Sequence, residues 1–215
     1  MLRNLLIAVS LLYVANAQCG QNTVSILQKC YSDFVSFYGY TYTPGNMPVY
    51  WDLHQVRTKM LRDQGLTVQP KICDVATALF QCTDKVKFDA ICIQELGANS
   101  SDATSWMTDR AVGNYQCTDG YKTLMADFDC IGKARDANAV ALQNCTDTLD
   151  YQLTHSINIC KDFNDFLACQ PPYYDKACGH NAGVFMCGVN RAGIDANLDL
   201  CDKLGLLDKC APYKY

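Results

Sequence analysis

The sequence predicts an all-α fold, a disulfide-rich helical bundle, on three observations. Apolar residues recur at steps of three and four along most of the chain, which is the spacing of one helix face. Segments that alternate polar and apolar residues, as half-buried strands do, are nearly absent. The chain also carries 14 cysteines, an even number that predicts up to seven bridges in an oxidising compartment.

The N-terminal residues predict export from the cell. Arg3 precedes an apolar run, Leu5–Val14, and Ala15-Asn16-Ala17 then matches a signal-peptidase site. We therefore expect residues 1–17 to be a signal peptide and residues 18–215 to form a single disulfide-stapled helical domain that is secreted and extracellular. The run is shorter than the roughly 20 residues that a membrane-spanning helix needs, and no later run is longer. No membrane span is predicted.

The charge of the chain bears on its partners. The formal net charge is −4, and positive residues form no dense cluster. Proteins that bind nucleic acid neutralise phosphates with basic patches. We therefore expect no nucleic-acid partner.

Three amphipathic helices are predicted in the first part of the chain. The first begins near Asn22 or Thr23, ends at Gly39 and has an apolar face formed by Val24, Leu27, Tyr31, Phe34 and Tyr38. The second ends at Gly65 and carries Val49, Leu53, Val56 and Met60. The third carries Ile72, Val75, Leu79 and Cys82. The segment Tyr38–Thr43 predicts an aromatic loop, for which packing on the core is favoured over a ligand-binding surface.

Further helices are predicted beyond residue 100. Ser101-Asp102 would begin one that carries Trp106, Arg110 and Tyr115. A long stretch opens with Leu124, Phe128 and Ile131 and runs past Leu142. The next carries Leu153, Ile157, Cys160 and Leu167, and Pro171-Pro172 should stop it. Two short helices follow, near Val184–Cys187 and Leu198–Leu204.

The cysteines are predicted to form structural disulfides and not a zinc site, because no two are closer than nine positions. They are Cys19, Cys30, Cys73, Cys82, Cys92, Cys117, Cys130, Cys145, Cys160, Cys169, Cys178, Cys187, Cys201 and Cys210. Zinc sites mostly use cysteines two to four residues apart with nearby histidines. The spacing in residues 72–92 resembles that in residues 159–178, which suggests a degenerate internal duplication.

The spacing also restricts the disulfide pairing. Nine positions on a straight helix cover about 13.5 Å, whereas bridged Cα atoms lie within about 7 Å. Cys73 and Cys82 should therefore not bond each other, nor should Cys160 and Cys169. We expect bridges between neighbouring helices. The candidates are Cys73 or Cys82 with Cys92 or Cys30, and Cys160 or Cys169 with Cys178 or Cys145.

No pattern in the sequence predicts catalysis, a cofactor or a metal site. There is no G-x-S-x-G motif, and the three histidines, His54, His155 and His180, are scattered. Asp195, Asn197 and Asp199 fall at positions 1, 3 and 5 of a calcium loop. Leu200 and Leu206 stand where such a loop needs its glycine and its bidentate acid, so a polar helix face or cap is expected instead.

Two sequons predict glycosylation. Asn99-Ser100-Ser101 lies in a polar loop beside a predicted helix start, where a glycan would face solvent. Asn144-Cys145-Thr146 is the second, and early closure of a bridge at Cys145 would compete with its modification.

The ordered cysteine spacings resemble the nematode secreted family called "domain of unknown function 19". The resemblance covers nearly all of the mature chain. It includes Cys73-x8-Cys82-x9-Cys92, Tyr115-Gln116-Cys117 before Gly120-Tyr121, Cys160-x8-Cys169, Cys178-Gly179 and Cys201-x8-Cys210. It implies an extracellular domain found largely in nematodes, and it brings no active site. Family members commonly have fewer cysteines, which implies that one pair is an addition.

The leading functional hypothesis is a secreted binding or interaction protein, with an extracellular protein as its partner. By analogy, such a cross-linked body would suit defence or host-facing secretion. The alternative is a carrier of a small apolar ligand in a cavity between helices, lined from the 13 tyrosines and 8 phenylalanines. An enzyme of unrecognised type would need a cleft with at least two converging titratable groups.

Overall fold

The structure, a computed structural model, describes residues 19–210. The expected signal peptide and its cleavage site lie outside the described residues. Within them the all-α expectation is confirmed: there is no strand, and an isolated bridge pairs Thr43 with Asn46. None of the described helices is long and apolar enough to span a membrane.

Eleven helices follow one another through the described part of the chain. They are α1 (Gln21–Phe37), α2 (Tyr50–Gln64), α3 (Gln69–Thr83), α4 (Ala90–Glu95), α5 (Ser100–Cys117), α6 (Tyr121–Ala137), α7 (Ala139–His155), α8 (Ile159–Cys169), α9 (Pro171–Cys178), α10 (His180–Asn197) and α11 (Leu200–Lys203). A single 3₁₀ turn, Gly65–Thr67, joins α2 to α3. We call α1–α5 with Cys19 the first half, and α6–α11 with the segment to Cys210 the second half.

The first half has an aromatic core. The fully buried Trp106 of α5 lies edge-on to Tyr31 of α1 and to Tyr50 of α2, with ring centroids 5.8 and 5.4 Å apart. Edge-to-face pairs of this kind add about 0.5–1.5 kcal/mol to area burial. Tyr38 is buried in the same cluster, and Tyr40 and Tyr42 pack against it. The predicted aromatic loop is therefore confirmed as a packed segment.

The second half has two smaller clusters of buried residues. The first contains Phe163, Leu167, Cys187, Ile194, Cys201 and Leu207, from α8, α10, α11 and the following segment. The other contains Ala134, Leu142, Tyr174 and Ala182, from α6, α7, α9 and α10. Helix α10 contributes to both clusters and so organises this half.

The two halves meet where α5 packs against α10. This contact is close because α10 presents glycines: a Cβ on Gly188 would lie 2.2 Å from the Tyr115 ring, and one on Gly193 would lie 3.3 Å from Thr108 Cγ2. At the end of α10, Asn197 Nδ2 donates a hydrogen bond to Thr108 Oγ1 at 2.7 Å. The two helices therefore approach closely at small residues, and a hydrogen bond joins them at one end. We call this α5–α10 contact the seam.

All fourteen cysteines are paired. The first half contains Cys19–Cys92, Cys30–Cys82 and Cys73–Cys117, and the second contains Cys130–Cys178, Cys145–Cys169, Cys160–Cys201 and Cys187–Cys210. The first six cysteines pair first with fifth, second with fourth and third with sixth. The same order recurs in the second half once Cys187–Cys210 is set aside. This repeated connectivity supports the internal duplication, and Cys187–Cys210 falls outside the repeated pattern.

The geometric restriction on pairing is confirmed. Cys73 and Cys82 lie on the single helix α3, Cys160 and Cys169 lie on α8, and neither pair is bonded. Cys30–Cys82 and Cys145–Cys169 were among the expected bridges. The expected partners for the other two were wrong, because Cys73 and Cys160 reach forward to Cys117 at the end of α5 and to Cys201 in α11.

Several expected helix boundaries were wrong. Helix α8 ends at Cys169, just before Pro171-Pro172, as expected, but Pro171 also begins α9, since a proline at the first helical position lacks only an N–H that would have no partner. The stretch from Leu124 past Leu142 is divided at Asn138, whose side chain donates to the Ala134 carbonyl at 2.8 Å. Ile157 is fully exposed between α7 and α8. The expected short helix near Val184 is part of the long α10.

The helix starts also differ from expectation. Helix α1 begins after Gly20 without a side-chain cap, whereas Asn22 or Thr23 had been expected to cap it. Helix α5 is capped by Asn99, whose side-chain oxygen accepts from Asp102 N at 2.8 Å, and not by Ser101-Asp102. The short helix α4 was not predicted, although Asp89 caps it with bonds from Ile91 N and Cys92 N. Short helices give too few apolar repeats to be seen in the sequence.

Candidate functional site

A cleft of about 960 Å³ lies between the two halves, beside the α5–α10 seam. One wall comes from the start of α1 and the segment Lys87–Ala90, which leads into α4. The opposite wall is the segment Asp195–Leu200 with Lys203, and Met107 of α5 completes the lining. We call this feature the junction cleft. Its lining combines segments about 100 positions apart, which is why no sequence motif predicts it.

The first-half wall of the junction cleft is rigid. The Cys19–Cys92 bridge ties the start of α1 to α4, with Cα atoms 5.1 Å apart. Cys19 N donates to Glu95 Oε1 at 3.1 Å, and Asp89 Oδ1 accepts from Ile91 N at 2.9 Å. This wall is therefore held by a covalent bond and by a helix cap.

The second-half wall is also tied down. The Cys160–Cys201 bridge anchors α11 to α8, and Asn197 anchors the end of α10 to Thr108 in the first half. Because both walls are fixed, the cleft is preformed. Preformed concave sites order fewer groups when a ligand binds, which reduces the entropic cost of binding.

Apolar side chains line part of the junction cleft. Met107 is buried, with 7% of its surface exposed, and Phe88 and Leu198 are half-buried. The guanidinium carbon of Arg110 lies 5.2 Å from the centre of the Phe88 ring. The cleft therefore offers an apolar surface that is already partly shielded from water.

The charged side chains of the cleft differ in how well they are paired. Lys203 Nζ lies 2.5 Å from Asp199 Oδ2, and the Asp89 carboxylate caps α4. Arg191 binds Asp202 and donates to the Asp208 carbonyl at 2.9 Å, but it reaches Asp195 Oδ2 only at 3.5 Å. Asp195 Oδ1 is buried and has no hydrogen-bond partner within the protein.

The environment of Asp195 disfavours its charged form. Burial raises the pKa of Asp195 above its ordinary value, and the neighbouring carboxylates of Asp202 and Asp199 raise it further. Arg191 acts in the opposite direction but does not cancel these effects. Asp195 is thus a carboxylate on the cleft wall with too little positive charge around it.

The residues considered for calcium belong to a helix face and a helix start, as expected. Asp195 and Asn197 lie in the last turn of α10, and Asp199 immediately precedes α11. Across residues 19–210, no group of three or more histidine, cysteine, aspartate or glutamate side chains could hold a metal ion.

The structure does not bring the histidines together. His54 on α2 stacks on Trp51, and burial followed by the charge of Arg57 lowers its pKa. His155 Nδ1 contacts the Tyr151 carbonyl oxygen at 2.8 Å on α7, and His180 Nδ1 lies 3.8 Å from Asp175. None of them lines the junction cleft.

Both predicted glycosylation sites are exposed. Asn99 caps α5, and Asn144 lies within α7 beside the buried Cys145. Attachment of a glycan at either site remains a prediction.

No family model, no curated protein and no solved structure matches the chain. The resemblance to "domain of unknown function 19" therefore remains a prediction that these comparisons do not support.

Proposed function

We propose that this chain is a secreted extracellular binding protein that takes a small-molecule ligand in the junction cleft. Its seven disulfides are typical of proteins that work in an oxidising environment. The signal-peptide pattern that ends at Ala17 supports export.

The observation that carries this proposal is the position of the cleft between two separately cross-linked halves. The disulfides make each wall of the cleft rigid. None of the seven connects the first half to the second. The volume of about 960 Å³ falls in the range of about 300–1,000 Å³ typical of small-molecule sites. A drug-sized ligand would therefore fit without rearrangement of either half.

The residues that line the cleft favour a ligand with both polar and apolar parts over a wholly apolar ligand. Lys87, Asp89 and Asp195 line the cleft together with Phe88 and Met107. A wholly apolar ligand would desolvate these charged groups without pairing them, which costs free energy. The carrier of an apolar ligand is thus the weaker candidate, and a ligand with both polar and apolar parts is the stronger one.

Native mass spectrometry of the protein secreted by eukaryotic cells tests this proposal. Ala196 lines the cleft, so Ala196→Trp should obstruct it and abolish any co-purified small-molecule mass. Ala126→Trp, on the exposed face of α6, is the matched control and should retain that mass. Near-identical circular dichroism of both variants would show that they fold.

The proposal would be overturned by either of two results. The first is a co-purified ligand that survives Ala196→Trp at the level found in Ala126→Trp. The second is the absence of any bound small molecule after incubation with an extract of the native extracellular fluid. Capture of a protein partner by both variants alike would favour the interaction-protein hypothesis instead.

A further inference from the structure

We infer that the junction cleft selects a protonated organic amine with an apolar body, with the ammonium on Asp195 and the apolar part against Phe88, Met107 and Leu198. This inference rests on the proposed function and specifies its ligand class. The ligand class is inferred by asking which charged side chains in the cleft already have partners within the protein.

Asp195 is the carboxylate of the cleft with unused acceptor capacity. Its Oδ1 atom has no hydrogen-bond partner within the protein, and its Oδ2 atom lies 3.5 Å from Arg191 Nε, a long contact. Arg191 cannot serve it better, because the guanidinium already binds Asp202 and the Asp208 carbonyl. Although Oδ1 itself is buried, the Asp195 side chain is 32% exposed, so an added cation could reach a carboxylate whose charge Arg191 only partly balances.

The other charges of the cleft are already committed. Lys203 pairs with Asp199 at 2.5 Å, and Asp89 accepts two backbone N–H groups at the start of α4. Lys87 is exposed at the edge. A ligand carboxylate would therefore find no unpaired buried cation here, whereas a ligand ammonium would find Asp195.

The apolar part of the ligand is inferred from apolar residues on both sides of the cleft. Met107 and Phe88 belong to the first half, and Leu198 follows α10 directly after the last turn that carries Asp195. A short spacer between the amine and an apolar group would let both be bound at once. Thioether and aromatic surfaces are adaptable partners for such a group.

The environment of Asp195 adds a pH dependence. Burial and the carboxylates of Asp202 and Asp199 raise its pKa in the free protein, while Arg191 opposes this. The other charged residues that line the cleft are Lys87, Asp89 and Lys203. A bound ammonium favours the ionised carboxylate. Affinity for an amine should therefore be lost as the pH falls through the pKa of the free carboxyl group.

Calorimetric titration of the full mature chain with three matched probes tests the inference. The probes are 2-phenylethylamine, 2-phenylethanol and phenylacetate, which share a ring and spacer and differ in charge. The amine should bind at least about 10-fold more tightly than the other two, because a hydrogen bond to a charged group is stronger than one between neutral groups. Asp195→Asn should reduce amine affinity by about 10-fold or more, whereas Asp129→Asn, an exposed carboxylate on α6, should not change it.

The outcomes separate this inference from the proposed function. Equal affinity for amine and alcohol, no effect of Asp195→Asn, or no amine binding at millimolar concentration would each overturn the amine assignment. If Ala196→Trp still abolishes a co-purified ligand in those cases, the binding cleft stands and only the ligand class is wrong. If Ala196→Trp leaves all binding unchanged, both fail.

Discussion

Arg57 and Asp109 join helices α2 and α5 through a buried, bidentate ion pair. The two terminal guanidinium nitrogens of Arg57 on α2 reach the Asp109 carboxylate on α5, one at 3.1 Å, and the Tyr50 hydroxyl donates to the same carboxylate at 3.1 Å. The side chains are only 15% and 8% exposed. Leu53 is the only residue of α2 that is buried in the core. Because α2 has so little apolar contact, these polar contacts hold the helix in place.

Replacing Asp109 should therefore destabilise the protein strongly. Asp109→Asn leaves the Arg57 charge buried without its counter-charge, a change that costs about 3 kcal/mol or more. Unfolding of the Asp109→Asn variant in guanidinium chloride gives its free energy of unfolding. Hydrogen exchange on the same variant should show that α2 opens before the other helices. Asp63→Asn removes an exposed partner of Lys59 on the same helix and is the control, with little change expected. Equal effects of the two substitutions would show that the buried pair does not fasten α2.

Two glycine-to-alanine substitutions, one at the seam between the halves and one away from it, should have opposite effects on stability. Gly188→Ala places a methyl group against Tyr115 and should destabilise by about 1–3 kcal/mol. Gly132→Ala, in the middle of α6 with no neighbouring atom within 4 Å of the new carbon, should stabilise by about 0.5–1 kcal/mol. Thermal unfolding of both variants measures the difference. A stabilising Gly188→Ala would mean that α5 and α10 are not in close contact.

The buried tyrosines predict a loss of stability at alkaline pH. Burial, with Asp109 adding to it, raises the pKa of Tyr38 to about 12, and burial raises the pKa of Tyr31 and Tyr50 as well. The unfolded chain releases these protons near the ordinary value of about 10, so it binds fewer protons than the folded protein above that pH. Stability should therefore be complete below pH ~10 and should fall between pH ~10 and ~12.

Denaturant unfolding at a series of pH values measures this slope, and absorbance near 295 nm reports tyrosinate. Tyr38→Phe removes one of the three groups and should make the fall less steep. A slope that is unchanged in this variant would indicate that Tyr38 ionises equally in the folded and unfolded states.

The glycosylation prediction can be separated from helix capping at Asn99. Ser101→Ala destroys the sequon but keeps the Asn99 cap, which accepts from Asp102 N. Protein secreted by eukaryotic cells should lose one glycan mass in this variant with little change in stability, whereas Asn99→Ala should lose both the glycan and about 1 kcal/mol. No mass difference between wild type and Ser101→Ala would contradict modification at Asn99.

The helices and the limits on pairing were predictable because they depend on local geometry. The 3.6-residue period located α1, α2 and α3, and the rise per residue excluded a Cys73–Cys82 bond. Pro171-Pro172 marked the end of α8 correctly, but the start of α9 at Pro171 was not predicted, because proline both ends helices and begins them.

The candidate site could not be predicted for a different reason. Asp195 had been considered only as a calcium ligand, and Met107 and Phe88 carry no motif. Their proximity depends on the α5–α10 seam, where Gly188 admits the Tyr115 ring. Such complementarity between distant segments leaves no periodic signal in one sequence. The repeat of cysteine spacing was the only sequence feature that pointed to two halves.

Disulfide mapping of the exported protein by partial reduction and mass spectrometry tests most directly whether two separately cross-linked halves meet at the junction cleft. The expected result is three bridges among the six cysteines from Cys19 to Cys117, in the order first to fifth, second to fourth and third to sixth, with the same order from Cys130 to Cys201 and a separate Cys187–Cys210 bond. A bridge between any cysteine up to Cys117 and any cysteine from Cys130 onwards would contradict it. Such a bond would remove both the repeated framework and the cleft that lies between its two copies.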